Sequence, residues 1–128
     1  MNHINTYKDI NLTSEILGAP HYRHISILLE RLLQNINGSL LAISENNITL
    51  KCKLLSNSYD IVSYFIDCLD FNADLEMAKK LEGIYSHLQK LFFWANAKGD
   101  LTKLNEAKFI TENLITWWSK VNESRSLT

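Results

Sequence analysis

Breakers of regular structure are scarce in this sequence. Its 128 residues include four glycines and one proline. That is too few for the many turns of an all-β protein, so helices are the expectation. No apolar run approaches the roughly 20 residues of a membrane-spanning helix, and no membrane insertion is expected. The opening stretch MNHINTYKDINLTSE is polar and lacks the apolar core of a secretory signal. Neither charge sign dominates: 13 Lys and Arg stand against 14 Asp and Glu, for a formal net charge of -1. A dedicated nucleic-acid binder would carry a basic surplus, so nucleic acid is not an expected partner. The two cysteines, Cys52 and Cys68, fall 16 residues apart on one predicted helix. They would lie about 24 Å apart, well beyond disulfide reach. Two unpaired thiols fit a reducing cytoplasm.

Chemical signatures are missing as well. There is no Gly-rich phosphate loop, no nucleophile elbow and no Cys-His signature. A di-metal site in a helical bundle needs inward Glu and Glu-x-x-His pairs, and no Glu-x-x-His occurs. His21 and His24 share a helical face, but no Cys or carboxylate pair accompanies them. They read as a solvated helix start rather than as metal ligands. His87 reads as a surface or boundary residue. None of Arg23, Arg31 and Arg125 is followed four to six residues later by His, the arrangement of one family of all-helical RNases. Asp67, Asp70, Asp74 and Glu76 read as charge around a helix–helix turn. No enzyme, metal or cofactor is expected.

What is present is hydrophobic residue at helical spacing. Hydrophobic residues make up 46% and charged residues 21%, the balance of one folded domain. Residues 1–19 form an N-terminal arm, as a short helix or an extended strap. A bundle covers residues 20–123, and residues 124–128 are a polar tail. The first predicted helix starts after Pro20 and continues through Asn37-Gly38 to about Ser44, on the stripe Ile25, Leu28, Leu32, Ile36 and Ile43. The second runs from about Ile48 to Leu69 on Cys52, Leu55, Tyr59, Val62, Ile66 and Leu69. The third opens at Ala73 or Asp74 and ends near Lys98-Gly99, on Leu75, Ala78, Leu81, Tyr85, Leu88, Phe92 and Ala95. The fourth follows an Asp100 N-cap, on Leu104, Ala107, Ile110, Leu114, Trp117 and Val121. Of the adjacent pair Trp117-Trp118, the pattern sends Trp117 inward and leaves Trp118 at the boundary. Short connections make neighbours antiparallel, so the fold class is all-α, an up-down four-helix bundle with an N-terminal cap.

These helices carry more apolar surface than four seams need. Leu29 and Leu33 on the first, Leu54, Ile61, Tyr64 and Phe65 on the second, and Met77, Ile84, Leu91, Phe93 and Trp94 on the third flank the main stripes. Two readings are open: a thick core, or a groove for another helix or extended chain.

The order of certain residues resembles the FliS family of flagellar secretion chaperones. Ile61-Val62-x-x-Phe65-Ile66-x-x-Leu69-Asp70 is similar to the family's helix ending in Leu-Asp. Ala78-x-x-Leu81-x-x-Ile84-Tyr85-x-x-Leu88 resembles its Ala-x-x-Leu-x-x-Leu-Tyr pattern. Leu91-x-x-x-Ala95-Asn96 before Asp100, and Leu114-x-x-Trp117, are similar to its later segments. Tyr7-Lys8 and Thr13-Ser14 resemble its tyrosine-bearing arm. The match covers about residues 55–120. The first helix departs most, with Ile27-Leu28-Leu29-Glu30-Arg31-Leu32 where the family has Met-Leu-Tyr-Asp-Gly-Ala.

The resemblance implies a cytoplasmic export chaperone that holds the disordered C-terminal segment of flagellin in apolar grooves. It implies that binding blocks premature polymerisation and readies the subunit for flagellar type III secretion. Leu29, Ile84, Leu88, Leu91 and Asn96 are then the candidate client-binding residues, with Tyr7 and Ile10 in the N-terminal cap. For the four apolar residues, core membership is the equal alternative, and for Asn96 the alternative is satisfaction of a helix end. Other flagellar export or regulatory proteins are further candidate partners. The competing reading is an oligomeric bundle, such as a homodimer, whose spare stripes meet each other or a non-flagellin partner.

Overall fold

The computed structural model describes residues 21–126. They form helices α1 (His21–Ser44), α2 (Ile48–Asp67), α3 (Leu75–Lys98) and α4 (Leu101–Ser126), with no strand among the described residues. The cap residues Tyr7 and Ile10 lie outside the described residues.

Local chemistry sets most helix ends. The Asn47 side chain accepts from the Leu50 N–H at 3.1 Å and caps α2. Just before it, Asn46 takes φ 57°, a conformation that asparagine tolerates better than most residues. Asp74 accepts from the Met77 N–H at 3.0 Å and opens α3. Asp100 accepts from the Lys103 N–H at 3.2 Å ahead of α4. Gly99 closes α3 at φ 62° and returns its N–H to the Ala95 carbonyl. Between α2 and α3, Asp70 Oδ1 accepts from the backbone N–H groups of Asn72 and Ala73. The second helix ends at Asp67, two residues short of Leu69, and the fourth runs past Glu123 to Ser126.

Polar cross-links give the topology. Asn35 Nδ2 donates to Asn57 Oδ1 at 2.6 Å, and a Cβ on Gly38 would stand 2.8 Å from Leu54 Cδ1. The residue numbers fall on α2 as they rise on α1, so the two are antiparallel. Lys51 Nζ reaches the Asn96 carbonyl at 2.8 Å, and Gln89 reaches Ser63 Oγ at 2.8 Å, so α2 and α3 are antiparallel too. Trp118 Nε1 donates to the Tyr22 carbonyl at 2.9 Å and ties the end of α4 to the start of α1. Each helix packs against its two neighbours around the ring α1–α2–α3–α4, which is an antiparallel four-helix bundle.

The core runs the length of the bundle. Leu28, Leu32, Ile36, Leu55, Ile61, Val62, Phe65, Leu88, Phe92 and Leu104 are all but sealed from solvent. Each large apolar side chain so buried contributes about 1.5–3 kcal/mol over leaving it in water. Phe65 and Tyr85 add a tilted ring contact at 5.5 Å.

Three seams differ from their sequence patterns: on α3, Leu75 at the helix start is 53% exposed, and α2 and α4 differ for one shared reason. On α2 the buried stripe is Leu55, Ser58, Ile61, Val62 and Phe65, while Tyr59 is exposed and Cys52, Ile66 and Leu69 are half-buried. On α4 the buried stripe is Leu104, Ala107, Thr111 and Leu114, and it continues to Trp118, which packs on the core. Both tryptophans are half-buried: Trp118 packs on the core and against the start of α1, while Trp117 lines the groove rather than continuing the seam. In both helices a small hydroxyl residue holds an interior position that a count of apolar residues passes over. Ser58 and Ser39 bury without loss because their hydroxyls donate to the carbonyls of Leu54 and Asn35. Cys52 and Cys68 are free thiols.

Candidate peptide-binding groove

Part of the apolar surplus is not used by the core. An open groove of about 730 Å³ runs between α3 and α4. Its α3 wall carries Met77, Lys80, Leu81, Gly83, Ile84 and His87, and its α4 wall Ile110, Asn113, Leu114 and Trp117. These residues follow helical spacing, because each wall is the flank of a stripe whose centre faces the core. At one end His87 Nε2 meets Glu106 Oε2 at 2.6 Å, a link between the two helices at the exposed rim. At the other end Met77, Leu81 and Trp117 also line a second hollow of about 300 Å³. That hollow lies at the end of the bundle among Ile25, Phe65, Cys68, Tyr85 and Trp118, with Asp70 and Asp74 at its edge. Groove and hollow thus share a wall and make one apolar trough.

The trough's floor is chemically quiet. Burial pushes the Tyr85 hydroxyl up to about 12, with a smaller push from Cys68. Burial also raises the Cys68 thiol; the Tyr64 hydroxyl bonded to it pulls the other way, and Asp67 adds a further upward push. Both groups stay protonated and neutral at pH 7, which suits contact with apolar side chains and not nucleophilic chemistry. Among the described residues no three His, Cys, Asp or Glu side chains come together as a metal site would need.

A third hollow, of about 250 Å³, lies between α2 and α3, lined by Leu55, Ser56, Tyr59, Asp60, Phe92, Phe93 and Asn96. Phe93 is 60% exposed at its lip. The Asn96 side-chain oxygen is buried there without a hydrogen-bond partner among the described residues. The carbonyl of Asn96 is instead satisfied by Lys51, so that helix end is served from α2.

The sequence-derived candidates therefore separate. Leu29, Leu88 and Leu91 are 4%, 0% and 2% exposed and belong to the core. Ile84 lines the α3–α4 groove, and Asn96 lines the α2–α3 hollow. The structure does not bring these five into one site. Sequence periodicity does not mark the α4 wall of Ile110, Asn113 and Trp117, or Gly83 opposite, as a binding surface. The signal for them was the misplaced α4 seam: once Thr111 and Trp118 face inward, Ile110 and Trp117 are left at the groove.

The model of the family described as flagellar protein FliS matches residues 3–125. The chain belongs to the FliS family. The flagellar secretion chaperone FliS of Vibrio cholerae serotype O1 is 21% identical over 118 residues, covering 92% of this chain and 87% of that protein. The FliS of Escherichia coli K12 is 23% identical over 122 residues, covering 94% and 90%. That of Campylobacter jejuni is 24% identical over 103 residues, covering 80% of each. The correspondence with FliS thus extends through α1, where the motif resemblance was weakest. No helix among the described residues of this FliS-family chain is long and apolar enough to cross a membrane.

Proposed function

We propose that this FliS-family chain is a chaperone of flagellar export that binds the disordered C-terminal segment of flagellin. The observation that carries the reading is the open apolar trough on a bundle of this family. Ile84, Met77, Ile110 and Trp117 contact the client directly. Leu29, Leu88 and Leu91 hold the walls from behind. Asn96 offers its buried oxygen to a client N–H in the α2–α3 hollow, where Phe93 and Tyr59 add apolar contact. Tyr7 and Ile10 act as a cap that competes with the client. Binding takes place in the bacterial cytosol, before export.

The mechanism is coupled folding and binding. A disordered segment loses chain entropy as it folds into helices against the trough, which offsets roughly 2–5 kcal/mol of the gross interaction. Apolar burial of about 25 cal/mol per Å² exceeds that loss only over a long contact. A client that wraps from the α3–α4 groove toward the α2–α3 hollow supplies such a length. Capture withdraws the segment from flagellin–flagellin contact, so assembly waits until release.

Seeded polymerisation of flagellin tests this. Equimolar chaperone is expected to halt filament growth measured by light scattering, and flagellin lacking its C-terminal segment is expected not to be retained on the immobilised chaperone. Unaltered growth at a several-fold excess of chaperone would contradict the reading.

A further inference from the structure

The hollow between α2 and α3 carries polar chemistry that the apolar trough lacks. Asn96 lines it, and its Oδ1 is buried with no hydrogen-bond partner among the described residues. Buried acceptors are almost always paired, so an orphaned one needs an account. The main-chain carbonyl of the same residue is served by Lys51 Nζ at 2.8 Å. Asp60 is the one charged residue that lines the hollow, and no Lys, Arg or His lines it. An amide oxygen and a carboxylate therefore meet there, with no cation among the lining residues.

Aromatic rings supply most of the remaining wall. Tyr59 stands on α2 and Phe93 on α3, both exposed, and the core residue Phe92 also lines the hollow. An edge-on contact with Trp94, at 5.6 Å and 79°, steadies the Phe93 ring at the lip. The neighbouring aromatic already holds a cation: Lys98 Nζ stands 6.0 Å from the centre of the Trp94 ring. At about 250 Å³ the hollow is smaller than the roughly 300–1,000 Å³ of a small-molecule site. It has room for one long side chain presented from outside.

We propose that this hollow is a recognition site for an arginine side chain of a partner protein. The guanidinium lies against the Tyr59 and Phe93 rings, donates to Asn96 Oδ1 and faces the Asp60 carboxylate. Arginine fits better than lysine. Its head is planar, weakly hydrated and stacks on aromatic faces, and its five N–H donors serve an amide oxygen and a carboxylate together. An apolar side chain would leave both acceptors unpaired, so the hollow selects against one. The site reads a single residue, whichever protein presents it, and does not depend on what the α3–α4 groove holds.

The test is an NMR titration of the isotope-labelled full chain with the capped tripeptide acetyl-Gly-Arg-Gly-amide. Saturable shifts of the Asp60, Phe93 and Asn96 amide signals are expected at millimolar concentrations. The citrulline counterpart keeps the shape of arginine without its charge, and is expected to bind at least about fivefold more weakly. The lysine counterpart is expected to bind about threefold more weakly. Asp60→Asn is expected to weaken the arginine peptide about fivefold at low salt, with the difference shrinking at high salt. Asn96→Leu is expected to weaken it about threefold. Amide signals that stay in place elsewhere show that each variant is folded. Equal binding of the arginine and citrulline peptides, or unchanged affinity in both variants, would make the hollow an unselective cleft and overturn the proposal. Free arginine binding more tightly than the capped peptide would give the hollow to a small molecule, and would also overturn it. So would the absence of any saturable shift with the arginine peptide.

Discussion

Thr111 is the residue whose chemistry fits its place least. It is fully buried in α4, and its hydroxyl has no hydrogen-bond partner among the described residues. An unsatisfied buried hydroxyl costs about 1–3 kcal/mol. Thr111→Val keeps the shape and removes that group, so it is expected to stabilise the fold by about 1 kcal/mol in urea unfolding. Tyr85 and Tyr64 make a second prediction. Both are pushed up to about 12 from the ordinary 10, chiefly by burial; the Cys68 hydrogen bond adds to this at Tyr64. The folded chain therefore keeps protons that the unfolded chain releases above about pH 10. Their contribution is complete below that pH and is lost as pH rises through about 12. Unfolding midpoints should hold level up to about pH 10 and then fall, and Tyr85→Phe should flatten that fall.

Caps, glycine and small polar residues decide the helices as much as the apolar stripes do. Asp74 holds the first turn of α3, which forms one wall of the groove. Asp74→Ala is expected to lose about 1 kcal/mol and to speed amide exchange in the first turn of α3 more than elsewhere. The four helices were legible in the sequence because their stripes are long and their caps, Asp74, Asp100 and Gly99, are of the expected types. The facing was less legible. Ser58 and Thr111 occupy interior positions by virtue of size, and an apolar count rotates α2 toward Tyr59 and sets Trp117 in place of Trp118. Ser39 and Asn35 do the same on α1, where Asn35 pairs with Asn57 and stays buried. A polar residue whose partner lies within the bundle is invisible to a hydrophobic pattern.

For the molecule as a whole, an apolar surplus in the sequence corresponds to a trough that the bundle leaves open. The surplus was legible, since the third helix carries Met77 and Ile84 beyond its seam, but the pattern left a thick core and a groove equally open. The groove's location was not legible, because a groove belongs to two helices and periodicity describes one at a time. Leu91 and Ile84 looked alike in sequence, yet one faces the core and the other the groove. In the proposed function, this trough captures a disordered flagellin segment by burying apolar surface as the segment folds. Calorimetric titration of the full chain with the flagellin C-terminal segment, at several temperatures, measures that directly. One-to-one binding with a negative heat-capacity change, the mark of apolar burial, is expected. No binding at micromolar concentrations, or binding with a heat-capacity change near zero, would contradict it.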